Sequence, residues 1–241
     1  MRLSARKIVL GGIVAVVLAV GVFAGTYVIF FNPRSVAAVA LPTPSPIPSS
    51  VPAPGAGSSP AALGTKWTVG SGSYVGYRVR EQLASLPAPS DAVGRSSAVT
   101  GAATVTANGD GSVSVSAVNV TADLTQLTSD SGRRDGFVQR NALETGTYPN
   151  ATFVSTEAFT CPATVVSGSA GSTTVRGRFT IHGQTREVSI PIQVQRSGTS
   201  VNIVGTYKFN WGEYGVQAPQ IPVVSVQGNP TVEISLKLTS A

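Results

Sequence analysis

The feature that most restricts this chain is the alternation of apolar and polar residues that runs through everything after Trp67. "VNIVGTYKFNW" sets Val201, Ile203, Tyr207, Phe209 and Trp211 against Asn202, Thr206, Lys208 and Asn210. "TVEISLKL" sets Val232, Ile234, Leu236 and Leu238 against Thr231, Glu233, Ser235 and Lys237, and "SYVGYRVR" sets Val75, Tyr77 and Val79 against Arg78 and Arg80. Successive side chains of a strand point to opposite faces, so each run is a strand with one dry face. The expected class is all-β.

The turns follow from the same reading. "GAATVTANGDGSVSV" is two alternating runs around Asn-Gly-Asp-Gly, a hairpin signal. The second run then changes phase: Val113 and Val115 are odd, whereas Val118, Val120, Ala122 and Leu124 are even. A slip of one residue would turn every later side chain to the wrong face, so a β-bulge is expected near Ser116 or Ala117.

"VRGRFTIHGQTREVSIPIQV" places Val175, Gly177, Phe179 and Ile181 on one face before a turn, and Val188, Ile190, Ile192 and Val194 on one face after it. "HGQTRE" is the loop, with Gly183 able to take positive φ. His182, the only histidine, then belongs to the turn or the polar surface. A catalytic base would need a nucleophile and an orienting carboxylate beside it. A metal site would need companions that one His and one Cys hardly supply. Glu81, Glu144, Glu157, Glu213 and Asp123 are too dispersed to form an acid–base pair, so no catalytic residue, metal or enzymatic activity is expected. Cys161 has no partner for an internal disulfide and reads as a small packed residue in a loop. Trp67 and Trp211 read as core or barrel-end plugs.

One segment breaks the pattern. "TSDSGRRDGFVQRNALETGTYPNATF" has cap candidates at Asp130 and Ser131, apolar Phe137, Val138 and Leu143 at helical spacing, and a stop before Pro149. It predicts one short helix. Arg133 and Arg134 near its start are candidates for an anionic head group; solvated charges, or an arginine–aspartate pair fixing the helix, are the plainer alternative.

The amino terminus is different in kind. After Arg2, Arg6 and Lys7 the chain runs uncharged from Ile8 to Phe31, roughly two dozen residues against the ~20 that span a bilayer. Residues 1–31 read as a cytoplasmic stub and an uncleaved transmembrane anchor, with the rest of the chain outside the cytoplasm by the distribution of positive charge. Residues 32–66, with "LPTPSPIPSSVPAPGAGSSP", read as a Pro-rich disordered linker; its Pro-rich part, extended at ~3.1 Å per residue, reaches up to ~60 Å. Residues 67–241 are the folded domain. Of 17 Lys and Arg and 11 Asp and Glu, five cations (Arg2, Arg6, Lys7, Arg34 and Lys66) precede the domain, so a formal +6 becomes +1 within it. Nucleic-acid binding, which needs a basic stripe with stacking aromatics, is excluded.

Taken together, "WTVGSGSYVGYRV", "TSDSGRRDGFVQRNALETGTYPNATF", "VRGRFTIHGQTREVSIPI" and "FNWGEYGVQAP" resemble, in that order, the successive signatures of the YceI-like family of polyisoprenoid-binding proteins. The resemblance implies an extended eight-stranded antiparallel lipocalin-like barrel whose lumen holds the tail of an isoprenoid quinone or polyprenyl phosphate. It implies no catalytic residues and no cofactor beyond that lipid. The expected partners are the lipid, the membrane through the anchor, and an envelope enzyme that receives the lipid. On this reading the lumen candidates are Tyr77, Val79, Val105, Phe137, Phe153, Phe179, Ile181, Ile190, Ile192, Tyr207, Phe209, Ile234 and Leu236. The competing reading is a surface interaction domain whose core those same side chains fill. The stretch "REQLASLPAPSDAVGRSSA" departs from the family as an insertion between the first two strands, and the anchor replaces a cleaved secretion signal.

Overall fold

The computed structural model describes residues 36–42, 65–84, 87–217, 220–221 and 224–240. The chain divides into two compact units, Met1–Val36 and Ala37–Ala241. Apart from Val36 the first, with the predicted anchor Ile8–Phe31, lies outside the described residues. Among the described residues no helix is long and apolar enough to cross a membrane.

The alternating runs become strands β1 (Lys66–Val69), β2 (Tyr74–Leu83), β3 (Ser90–Ser96), β4 (Val99–Ala107), β5 (Val113–Asp123), β6 (Asn150–Ser155), β7 (Phe159–Cys161), β8 (Gly171–Ile181), β9 (Gln184–Ser197), β10 (Ser200–Lys208), β11 (Gln220–Ile221) and β12 (Val224–Ser240). Every pairing is antiparallel. Some strands share a position in the wall: β1 and β2 both lie against β12, and β6 and β7 both lie against β5. β3 and β4 are likewise two parts of one position, paired with β2 and β1. The result is an eight-stranded antiparallel barrel. It closes at β1, where Trp67 faces Ala103 of β4 on one side and Ser240 of β12 on the other. Closure removes a free edge at β1, while among the described residues β3 pairs with β2 alone apart from the Arg95–Thr128 bridge, and β7 pairs with β5 alone.

Most of the interruptions fall in one half of the circle. β1/β2, β3/β4 and β6/β7 are broken strands, whereas β8, β9 and β10 run unbroken for 11, 14 and 9 residues, and β12, 17 residues long, shifts register against β2 between Gln227 and Thr231. β5, also in the broken half, carries the bulge. Ala102 pairs with Asn119 but Thr104 with Ser116, so Ala117 and Val118 stand opposite Ala103. Ala117 takes φ +49, and the extra residue returns Val118 and Val120 to the interior. A β-branched side chain is disfavoured at positive φ. Ala117→Val is therefore expected to lower stability by about 1–2 kcal/mol, read as a shift of the urea midpoint with an unchanged slope.

The segment that broke the β pattern is helix α1 (Gly132–Phe137), continued by a wider turn over Val138–Ala142. Ser131 caps it, accepting from the Arg134 amide. A second short helix, α2 (Ala163–Val166), follows β7 and had no sequence signal. Given the strand directions, α1, the His182–Gly183 turn and the Trp211–Tyr214 turn gather at one end of the barrel. α2 and the Asn108–Ser112 hairpin loop lie at the other.

The stretch expected to be a Pro- and Ala-rich insertion contains β3. Its inward positions Ala92, Gly94 and Ser96 pair with Val79, Tyr77 and Val75. They are too small to show a hydrophobic pattern, and Gly94 lets the Tyr77 ring lie against the backbone.

Outside the barrel, Glu233 is buried, its side chain 3% exposed, between Arg78 (2.6 Å) and Arg95 (3.2 Å). Both guanidinium groups also donate to the Ala37 carbonyl at 3.1 Å. Ala37–Pro42, part of the stretch read as a linker, thus lies along the outer wall, where Val39 sits with Thr174, Pro191 and Val204.

Candidate ligand-binding lumen

The inward faces of the strands converge on an interior that is filled at one end and hollow through the rest. At the α1 end, Leu124, Leu143, Ile181, Phe209, Tyr214 and Val216 are buried together. Tyr214 is 0% exposed. Its ring meets Phe179 and Phe209 edge-on at centroid distances of 5.6 and 5.1 Å. Away from this plug lies a cavity of about 120 Å³ lined by carbon, with Asn119 and Thr152 the polar residues of its wall. A second chamber of about 80 Å³ continues toward the α2 end, lined by Trp67, Val105, Val113, Cys161, Val165 and Arg196 among others. Ala103, Val115, Phe159, Ile192, Ile203 and Leu238 belong to both walls, so the two chambers adjoin.

The space exists because Ala103, Ala122 and Ala151 face inward where larger side chains would fill the interior. An apolar cavity of ~150 Å³ holds a benzene-sized guest without water. The main chamber is close to that size and has the same kind of lining.

The structure sorts the sequence candidates. Phe153, Phe179, Ile190, Ile192, Tyr207, Ile234 and Leu236 line the main chamber, and Val105 lines the second. Tyr77, Val79, Phe137, Ile181 and Phe209 line neither. Val79, Ile181 and Phe209 are buried, Ile181 and Phe209 within the α1-end cluster, and Tyr77 and Phe137 pack against that cluster. Sequence reasoning missed the alanines, Val118, Val120 and Phe159, because alternation marks which residues face inward but not which of them leave space. Trp67 is a plug, 3% exposed, in the wall of the second chamber. Cys161 is in strand β7 instead of a loop, and burial pushes its thiol pKa up.

Arg134 has a different setting from the one a free anion site needs. Its guanidinium donates to Glu81 at 2.5 Å and to Asp130. Glu81 is the inward residue of β2 after Val79 and is 5% exposed. The pairing neutralises a carboxylate that burial would otherwise make costly. Arg133 is exposed. The Tyr77 hydroxyl is buried beside this cluster without a hydrogen-bond partner among the described residues. Burial raises its pKa well above the phenol range, although Arg134 nearby works the other way.

His182 is in the turn, as expected, with φ +51 followed by Gly183 at +69. Its side chain is not at the surface: it is 15% exposed and packs edge-on to Tyr148 at 4.8 Å. Nδ1 lies 3.1 Å from the Tyr214 carbonyl, which can only accept, so Nδ1 carries the proton. Nε2 faces the Glu144 carboxylate at 3.7 Å. The ring therefore ties the β8–β9 hairpin to the Tyr214 plug. Among the described residues no three His, Cys, Asp or Glu are placed to hold a metal ion.

A closed antiparallel barrel of eight positions with a dry interior has room for one small apolar ligand. The chain belongs to the YceI-like domain family, whose pattern matches residues 68–239. Among solved structures it is similar to a polyisoprenoid binding domain from Saccharophagus degradans implicated in plant cell wall breakdown, at 14% identity and a TM-score of 0.54, covering 74% of this chain and 99% of that one. It is also similar to BcnA of Burkholderia cenocepacia (20% identity, TM-score 0.47, covering 69% and 96%) and to the Campylobacter jejuni YceI protein (11% identity, TM-score 0.43, covering 60% and 83%). No curated protein matches the chain.

Proposed function

We propose that this protein is a membrane-tethered, extracytoplasmic carrier that holds the tail of a long isoprenoid lipid, a quinone or a polyprenyl phosphate, in its barrel lumen. The observation that carries this is the pair of adjoining apolar chambers inside a closed wall. A polyprenyl tail presents almost nothing to hydrogen-bond, so it is recognised by burial, at ~0.8 kcal/mol per CH₂ removed from water. The polyisoprenoid binding domain of Saccharophagus degradans shares this architecture, which favours a prenyl tail over other apolar chains.

A tail in a bilayer is already out of water, so transfer into the lumen gains little net free energy. Such a carrier exchanges lipid with a membrane and hands it on; it does not strip it out. The expected anchor over residues 8–31 and the positive charges before it support a domain outside the cytoplasm, on the side of the outer leaflet that would supply such a lipid.

The reading is tested by purifying the unit Ala37–Ala241 from a cell envelope without detergent, extracting it into organic solvent and analysing the extract by mass spectrometry. A stoichiometric isoprenoid is expected. A blank extract, repeated after incubation with quinone-loaded vesicles, would leave the surface interaction domain as the better reading.

A further inference from the structure

The two ends of the lumen differ in how their arginines are paired. At the α1 end, Glu81, Asp130 and Asp135 surround Arg134, whose guanidinium is engaged by Glu81 and Asp130. The charge of Arg134 is thus already compensated, while Arg133 and Arg140 on the same segment are exposed. At the α2 end stands Arg196. It continues the inward phase of β9 after Val188, Ile190, Ile192 and Val194 and pairs across the wall with Val201; its aliphatic stem lines the second chamber and its guanidinium stands at the chamber's rim.

Two neutral acceptors hold its guanidinium. Nε donates to the Gly198 carbonyl at 3.1 Å and Nη1 to the Val166 carbonyl at 3.2 Å. Among the described residues Arg196 makes no ion pair. Carbonyls orient a guanidinium but leave its charge uncompensated, and Nη2 takes part in neither bond. A fixed arginine fork with donors to spare is the group best suited to a phosphate oxygen.

We propose that Arg196 is the head-group subsite of the lumen and binds the phosphate of a prenyl phosphate monoester, with the tail running through both chambers toward the Tyr214 plug. This rests on the lipid-tail reading above and narrows it: the ligand class is the anionic prenyl carrier, with quinones second. Arg196 also closes off the carbonyl of Val166 at the end of α2, and that structural role alone would give no preference among lipid heads.

The test uses the full chain in a non-ionic detergent, offered equal amounts of a prenyl monophosphate and the prenyl alcohol with the same tail. Native mass spectrometry reads the ratio bound. The wild type is expected to retain the phosphate about tenfold or more over the alcohol, the size of one charge-assisted contact. Arg196→Gln is expected to bring that ratio to about one while still retaining the alcohol, which shows that the barrel remains folded and hollow. Arg196→Lys, with the charge but no fork, is expected to fall between. Equal retention by the wild type, or an unchanged ratio in Arg196→Gln, would overturn the assignment of Arg196 and leave the tail reading standing. Retention of neither lipid by the wild type would overturn both. Displacement of the prenyl phosphate by excess inorganic phosphate alone would show a free-anion site in place of a lipid head-group site, and would also overturn the proposal.

Discussion

Tyr214→Ala is expected to lower the midpoint of thermal unfolding by roughly 10 °C. Truncating a large buried aromatic costs about 3–5 kcal/mol, and a domain of this size loses about 2–4 °C per kcal/mol. Tyr214 is fully buried, and two aromatic rings pack on its edges and face. Its carbonyl receives the His182 ring and its hydroxyl lies 3.4 Å from that of Tyr207. The surroundings are tied to other strands and can collapse only in part, so a cavity remains. Tyr214→Phe keeps the rings packed and is expected to cost about 1 kcal/mol or less, the value of one modest hydrogen bond. Circular dichroism melts of the two variants separate these cases. A shift below about 3 °C for Tyr214→Ala would show that the ring does not hold the plug together.

The second large effect concerns occupancy. Ala103 belongs to the walls of both chambers and is 4% exposed. Ala103→Phe puts a ring where the chambers adjoin. Overpacking a filled core costs about 1–3 kcal/mol, but here the ring enters existing space of about 120 Å³. The fold is therefore expected to survive with a small change in melting temperature, while lipid recovered by organic extraction falls at least about tenfold. Undiminished lipid in a folded Ala103→Phe protein would mean that the tail does not pass through the lumen.

Much of the architecture was legible because it depends on local period. The inward faces of β8, β9, β10 and β12 follow directly from alternation, and the change of phase between Val115 and Val118 located the bulge within one residue of Ala117. The cap at Ser131 and the stop before Pro149 located α1. β3 was not legible, since Ala92, Gly94 and Ser96 carry too little hydrophobic contrast. The interior divides into a plug and a hollow according to where small residues from neighbouring strands come together on the inner wall. Ala103, Ala122 and Ala151 come from three different strands, so no window of sequence contains that fact. The state of Arg134 was hidden for the same reason, because its partner Glu81 lies 53 residues away. Arg196 could have been seen: it is the one charged residue in an inward series that runs from Val188 by twos.

The uneven wall has a mechanical consequence. A ladder of continuous hydrogen bonds resists being pulled apart, because many bonds must lengthen together, whereas a break or bulge lets a few residues pivot. β8, β9 and β10 form a rigid back. The jointed front consists of β1/β2, β3/β4, the bulged β5 and β6/β7, with the gaps between Val69 and Tyr74, Ser96 and Val99, and Ser155 and Phe159 as its pivots. A guest larger than the resting chambers therefore loads the two halves unequally. The front yields first, swelling the lumen like a bellows fixed to a board, and the back keeps Ile190, Ile192 and Arg196 in register throughout.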